Sequence, residues 1–403
     1  MSHVAGTSTL AGKKIAIHMI KTFPPCHLNA DENGVQKSVV FGGVPRTRVS
    51  GANIAHTIRN SDIIKAIAPI GTRSRMLPSQ VLTELRRMRD EDKAFAEVGE
   101  EFLIEAANKL TKIAKKKESD GEDSEKKVRK NMLPITSQAI FYTAQDVREI
   151  AEIFRIEILN AKDFETFKKV PLPKMNELQE NYISIDMALF GRMVTTDFMK
   201  DIESAVQIGQ AISTHAMNRE LDYFSCLDDL IESDEAVGLS GSAMTGTMDF
   251  SSPCMYQYAA IDLGLLESNL ESVKDGAGKT AEVALAFIKA FVTLSSNTKQ
   301  SRFASAVPPA AVMVEILEDN APPYSYANAF ESPVKTFGET PEVTKNSVKA
   351  LVGYADKMYA ALGRPMKSVY FSPEYADEIA PENSETDGNL AHLLKTVEAW
   401  IKE

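Results

Sequence analysis

Two hydrophobic periodicities divide this chain, and their order along it constrains the fold most strongly. From Lys14 to Ile20 every second residue is apolar (Ile15, Ile17, Met19), the spacing of a half-buried strand. Val39-Val40-Phe41 is a second short apolar run, stopped by Gly42-Gly43, and Arg46-Thr47-Arg48-Val49-Ser50 alternates again. Ser50 is placed to cap a helix that Ile54 to Ile58 begins. From about Arg73 to Asn181 the spacing turns helical. Val81, Leu82 and Leu85 share one face, Phe102, Leu103, Ala106 and Leu110 another, and Val147 to Leu159 is a further amphipathic stretch. Strand-like sequence returns at Tyr182 to Phe190, Met255 to Ile261 and Val312 to Leu317, while Ala205 to Ser213 reads as helix or buried strand. Helices are predicted over Thr280 to Leu294, from Thr340-Pro341 through Leu362, and over Leu390 to Ile401. Strands bracketing helices in mixed order point to an α+β core, near the split βαβ arrangement, carrying two large insertions.

Composition bounds the function. The chain of 403 residues is 44% hydrophobic and 25% charged, an ordinary globular balance for about two or three domains. No apolar run reaches the roughly 18 residues of a membrane span. Met1 to Gly12 is small and polar, reading as a disordered lead-in without a secretory signal. Cys26, Cys226 and Cys254 show no paired spacing, which fits a reduced cytoplasmic compartment and neither a disulfide framework nor a zinc site. The net charge of −11 argues against nucleic acid when taken alone. Its distribution argues otherwise. Between Lys13 and Asn60 stand seven basic residues (Lys13, Lys14, Lys21, Lys37, Arg46, Arg48, Arg59) against Asp31 and Glu32. Between Ala216 and Phe250, Arg219 faces eight acids, in a stretch whose Gly238, Gly241 and Gly246 read as flexible. Lys115 to Lys130 reads as a solvated charged loop within the helical insertion.

Several motifs invite chemistry. Gly276-Ala277-Gly278-Lys279-Thr280 ends like a phosphate-cradling loop, but Val273 occupies the position of its first glycine, and a flexible turn before a helix is the better reading. Asp228-Asp229 could ligate magnesium, although adjacent acids on a polar segment are usually just solvated. The six histidines form no metal spacing, and His18, within the first strand, is expected to be packed or hydrogen-bonded. The basic cluster is more informative. Lys37, Arg46, Arg48 and Arg59 flank a Gly-Gly turn and a helix start, where guanidinium and backbone N–H donors suit phosphate. Lys299-Gln300-Ser301-Arg302 is a second basic point, and no RNP-type aromatic motif is present.

Read together, these segments resemble the CasC-type backbone subunits of type I-E Cascade, the CRISPR RNA-guided surveillance complex, within the RAMP superfamily. The pieces are Ile15-Ala16-Ile17-His18; Gln36-Lys37 with Phe41-Gly42-Gly43; Arg48-Val49-Ser50; Ala188 to Met193; Ile212 to His215; Asp222-Tyr223-Phe224; Leu227 to Leu230; Phe250-Ser251-Ser252; Lys299-Gln300; Val312-Met313-Val314; and Ala327 to Phe330. The resemblance implies a modified RRM or ferredoxin-like palm in three parts (13–61, 183–215 and 251–403), a helical fingers insertion (62–182) and a long thumb loop (216–250). It implies copies stacked head to tail along one guide RNA, each thumb folding over its neighbour and the guide exposed in segments to target DNA. Lys37, Arg46, Arg48, Ser50, Asn53, Arg59, Arg192, Lys299 and Arg302 would line the RNA, Met193 would wedge beside a displaced base, and Tyr223, Phe224, Leu227, Leu239 and Met244 would meet the neighbour. Ala55 and His56 stand where the family often carries basic side chains, which leaves either fewer phosphate contacts or Asn53 and backbone amides in their place at that helix start. Other Cascade subunits (the large and small subunits and those binding the RNA ends) are implied partners; a cofactor, a metal and a membrane are not. A non-catalytic role is expected, with a magnesium-dependent ribonuclease using Asp228, Asp229 or Asp249 as the alternative and a nucleotide hydrolase using Lys279 and Thr280 as a third.

Overall fold

A computed structural model describes residues 10–111, 113, 133–172, 183–193, 198–227, 242–295, 299–338, 341–362, 367–382 and 384–403. The chain divides into two compact units: residues 1–64, 206–264 and 281–403 form one, and residues 65–205 with 265–280 form the other.

The first unit is built on a mixed sheet, which together with its helices makes the fold α+β. Its strands are β1 (Lys14–Thr22), β2 (Ser38–Phe41), β3 (Val44–Val49), β6 (Val206–Ile208), β7 (Ala211–Ser213), β10 (Cys254–Asp262), β11 (Ala311–Leu317), β12 (Lys367–Phe371) and β13 (Ser384–Asp387). The second unit contains β4 (Thr72–Ser74) and β5 (Ile140–Tyr142), paired with each other, and β8 (Glu220–Leu227) pairs with β9 (Ser242–Phe250) in the first. Among the described residues the large sheet runs β13-β12-β11-β1-β10-β7-β3-β2, with β6 also on β10. All its pairings are antiparallel except β12–β13. β1 lies at the centre because its alternation serves two buried faces. Ala16 and Ile20 join Tyr256, Met313 and helix residues Val348, Leu351 and Ala355 on one side, while Ile15, Ile17 and Met19 are equally buried.

The helices, in chain order, are α1 (Gly51–Arg59), α2 (Asp62–Lys65), α3 (Leu77–Glu91), α4 (Glu100–Leu110), α5 (Ala144–Asn160), α6 (Phe164–Lys169), α7 (Ile185–Phe190), α8 (Leu263–Glu271), α9 (Thr280–Thr293), α10 (Gln300–Phe303), α11 (Val343–Leu362) and α12 (Leu390–Lys402). In the second unit α3, α4 and α5 bury Val81, Leu82, Leu85, Leu103, Ala106, Leu110, Ile150 and Phe154 in one core. These are the faces that the helical spacing picks out, and α5 opens on a capping box between Thr143 and Asp146.

Two sequence expectations change and one open alternative is resolved. Residues 183–190 do not form the expected strand: Ser184 stands at the N-cap of α7, whose five residues from Ile185 to Leu189 are all buried, and Tyr182 lies outside the described residues. Ala205 to Ser213 is two short strands, β6 and β7. The stretch expected to be flexible contributes the β8–β9 hairpin, in register from Glu220 opposite Phe250 to Cys226 opposite Met244. Gly276 to Lys279 follows α8, not a strand, and turns into α9; the phosphate-loop reading therefore lacks its structural context. Lys115 to Lys130 and Asp228-Asp229 lie outside the described residues. No helix among the described residues is long and apolar enough to cross a membrane.

Buried polar groups lock the sheet. His18 shares a 3.0 Å hydrogen bond with the Tyr256 hydroxyl and stacks on Tyr326, with ring centroids 4.2 Å apart. Glu315 Oε2 lies 3.5 Å from His18 Nε2. Burial works to raise the Glu315 carboxyl, but bonds from His18, Tyr359 and Tyr326 outweigh it and hold the group below its usual range. The buried Lys21 ammonium closes the C-terminal end of α9 by donating to the carbonyls of Val292 (3.0 Å) and Leu294 (2.9 Å); burial lowers its pKa to about 8.

The β2–β3 turn gives a sharp test. Gly42 and Gly43 both have positive φ (60° and 78°). A Cβ on Gly42 would overlap the carbonyl oxygen of Glu331, while one on Gly43 meets nothing within 4 Å. Gly43→Ala is expected to cost about 1 kcal/mol from the left-handed backbone alone. Gly42→Ala is expected to cost roughly 3 kcal/mol or more, because the overlap adds to it. Urea denaturation of both variants measures the difference.

Candidate nucleic-acid interface

The basic residues of the first segment separate into surface and interior groups. Lys37 and Arg48 sit side by side, with Arg48 N donating to Lys37 O at 2.9 Å. Both are half-buried, and neither has an acidic ion-pair partner among the described residues. Arg48 Nη1 donates to the neutral Gln210 amide oxygen at 2.8 Å. One buried residue organises this neighbourhood. Asn29 accepts Lys37 N on its backbone oxygen (2.8 Å) and Ser50 N on its Oδ1 (3.2 Å). Ser50 then caps α1 by accepting Asn53 N at 3.3 Å. Asn53 Oδ1 has no hydrogen-bond partner among the described residues although it is buried. Lys37, Arg48, Ser50 and Asn53 therefore converge at the positive end of α1. Arg59 is half-buried at the other end of that helix, about 12 Å along its axis.

Arg46, expected among the RNA contacts, is inside the protein. Its guanidinium is fully buried and donates to the carbonyls of Phe41 (3.2 Å), Ser213 (2.9 Å), Phe330 (2.8 Å) and Glu331 (3.2 Å). Desolvation lowers its pKa. Arg192, in the second unit, is also buried rather than on the surface. Burial lowers its pKa, with Asp146 and Asp201 opposing. Its Nε donates to Lys200 O at 3.1 Å and its Nη1 lies 3.8 Å from Asp146 Oδ2. The next residue, Met193, is the most exposed large hydrophobic side chain described, at 88%. Strand alternation could not separate these cases, because a buried arginine satisfied by carbonyls looks identical in sequence to an exposed one.

The second basic point meets the β8–β9 hairpin. Lys299 and Arg302 are exposed, Lys299 at the N-cap of α10 and Arg302 within its single turn. Lys299 Nζ lies against Met248 Sδ (2.8 Å), the Arg302 guanidinium sits 5.4 Å over the Phe224 ring, and Phe250 packs near Phe303. The root of the hairpin links this point to the first. Asp249, the neighbour of Met248, is buried and accepts Gln36 N (3.0 Å) and Arg219 Nε (2.9 Å), with His27 Nδ1 3.4 Å away. Gln36 in turn precedes Lys37. Tyr223 and Met244 project from the hairpin into solvent, and Phe224 is half-buried under Arg302. Leu227 ends β8, and Leu239 lies outside the described residues. Asn29 and His27 carry no signal in the sequence that marks them, since their roles come from loop hydrogen bonds.

If Asp249 anchors the hairpin, Asp249→Asn should destabilise the chain by about 1–3 kcal/mol, the usual result of breaking a buried charge-assisted pair. Hydrogen exchange should accelerate in residues 220–227 and 242–250 ahead of the sheet. Unchanged exchange there would remove the anchoring role.

The family model described as "CT1975-like protein" matches residues 15–399 of the chain. No curated protein matches it. Among solved structures, a chain of a "CRISPR RNA-guided surveillance complex, pre-nicking" is similar at 23% identity with a TM-score of 0.76, covering 96% of this chain and 100% of that one. A chain of a "CRISPR RNA-guided surveillance complex" is similar at 20% identity with a TM-score of 0.66, covering 96% and 99%. At these identities the likeness is one of fold.

Proposed function

The chain belongs to the CT1975-like family, and from that premise we propose that it is a non-catalytic backbone subunit of a CRISPR RNA-guided surveillance complex, holding the guide RNA by its sugar-phosphate. The observation that carries this reading is the pairing of Lys37 and Arg48 beside the capped start of α1, with Lys299 and Arg302 tied to the same region through the hairpin root. Such an array supplies cations and backbone donors without base-reading geometry. A guide holder needs this because the guide sequence changes from one complex to the next.

In the finer form of the proposal the complex is of type I-E, in the cytoplasm. The sheet unit is an RRM-like palm, the helical unit the fingers and the β8–β9 hairpin the thumb. Several copies stack head to tail along one RNA, with Met193 available to wedge beside a displaced base, and present the guide in segments for pairing with target DNA. The large and small subunits and the RNA-end-binding subunits complete the particle. Arg46 and Arg192 act here as braces for the residues around them, not as phosphate ligands. The ribonuclease alternative loses one candidate acid, since Asp249 is buried and engaged with Gln36 and Arg219.

Binding of a single-stranded RNA, measured across a salt series, tests the proposal. Lys37→Ala and Arg48→Ala should each weaken binding several-fold on every sequence tried. Each should also reduce the slope of log affinity against log salt by about 0.7, the share of one phosphate on a single strand. A loss confined to particular sequences, or an unchanged slope in both variants, would overturn the reading.

A further inference from the structure

One strand end touches both ends of the segment that carries the second basic point. β1 finishes on Ile20, Lys21 and Thr22. Lys21 is fully buried, and its ammonium donates to Val292 O (3.0 Å), Leu294 O (2.9 Å) and Ser295 Oγ (3.3 Å). The two carbonyls lie at the C-terminal end of α9, where helical carbonyls lack partners within the helix and a cation is favoured. Ile20, the preceding residue, accepts Ala310 N on its carbonyl at 2.8 Å. Ile20 also stands opposite Ala311, the first residue of β11. Lys299 and Arg302 lie between Ser295 and Ala310.

Little within α10 itself fixes Lys299 and Arg302. The helix has four residues, and both its flanking residues, Lys299 (φ 54°) and Ala304 (φ 45°), are in left-handed backbone. Residues other than glycine rarely adopt that conformation unless their surroundings impose it. Lys299 follows Ser295 by four residues, so Ser295 confines it to a radius of about 14 Å. Lys21 has three donors and the structure gives it three acceptors, with no acidic ion-pair partner among the described residues. A buried ammonium is costly unless it is satisfied in this way, and an apolar residue in its place would leave the end of α9 without these bonds to β1.

We infer that Lys21 is a positioning residue for the second basic point. Together with Ile20 it clasps both ends of the segment, so that Lys299 and Arg302 project from a closed loop. Closing a loop removes conformational freedom that would otherwise be lost when its cations engage a ligand. Being fully buried, Lys21 itself presents no donor to a ligand, which separates it from Lys37 and Arg48. That the clasp serves RNA rests on the reading above; that it holds the segment rests on the bonds alone.

The test compares the full chain with its Lys21→Met variant, which keeps a long side chain and removes the donors. Amide exchange at Arg302, Phe303 and Ala304, whose N–H groups bond to Lys299 O and Gln300 O, is expected to rise about tenfold or more, the scale set by losing charge-assisted bonds. Exchange in β11 is expected to change much less. Binding of a single-stranded RNA is expected to weaken several-fold, and not to weaken further when Lys21→Met is added to a chain already carrying Lys299→Ala and Arg302→Ala. Unchanged exchange at 302–304 in a folded Lys21→Met chain, or an equal rise in β11, would overturn the clasp. Equal weakening of RNA binding in both backgrounds would overturn the positioning role. If Lys299→Ala with Arg302→Ala leaves RNA binding at the parent value, the RNA reading of this point fails, and the exchange result still decides the clasp. Should Lys21→Met not fold, Ser295→Ala removes only the acceptor nearest Lys299; faster exchange at 302–304 is expected there too, and unchanged exchange would overturn the clasp.

Discussion

The end of the sheet that carries the basic residues depends on one buried guanidinium. Arg46 has no carboxylate partner among the described residues, and it donates instead to four carbonyl oxygens from three places in the chain: the β2–β3 turn, β7, and residues 330–331. Burying a cation this way is tolerable only because four of its five N–H donors meet carbonyl acceptors. Burial also lowers the pKa of His215, against a bond to the Ala216 carbonyl, and the nearby charge of Arg46 pushes it further down. With Arg46 in place, β2 and β3 are held against β7, and Lys37 and Arg48 are held beside Asn29, Ser50 and the start of α1.

Much of the architecture was legible in the sequence because apolar residues recur with the spacing of each element. The alternation at Lys14 to Ile20 and the run at Val312 to Leu317 belong to central strands. The faces of α3, α4, α5, α9, α11 and α12 follow from 3.6-residue spacing. What failed did so for physical reasons. Ile185 to Leu189 is buried on all sides, so hydrophobicity there holds no period to read. The acidic, glycine-containing stretch after Ala216 looks unstructured by composition, yet β8 and β9 gain their order from pairing with each other and from Asp249, Met248 and Phe250 at the root. Contacts between residues some thirty positions apart leave no local trace.

The candidate site was legible in part, and the limit is instructive. Seven cations before Asn60 look equivalent in the sequence. The structure divides them by what surrounds each one: Lys21 closes a helix end, Arg46 braces a sheet, and Lys37 and Arg48 remain half-exposed next to each other. Arg192 repeats the lesson beside Asp146. A count of basic residues thus overstates the cationic charge at the surface, and this bears on the overall net charge of −11. The interior cations do not offset it there.

The central claim is that the buried Arg46 sets the position of Lys37 and Arg48, the two cations proposed to hold RNA phosphate. The salt dependence of RNA binding by Arg46→Met tests it most directly, provided circular dichroism shows the variant still folded. The account expects the slope of log affinity against log salt to fall by about 1.4, the share of Lys37 and Arg48 together on a single strand, although both residues remain. A folded variant with the parent slope would contradict it.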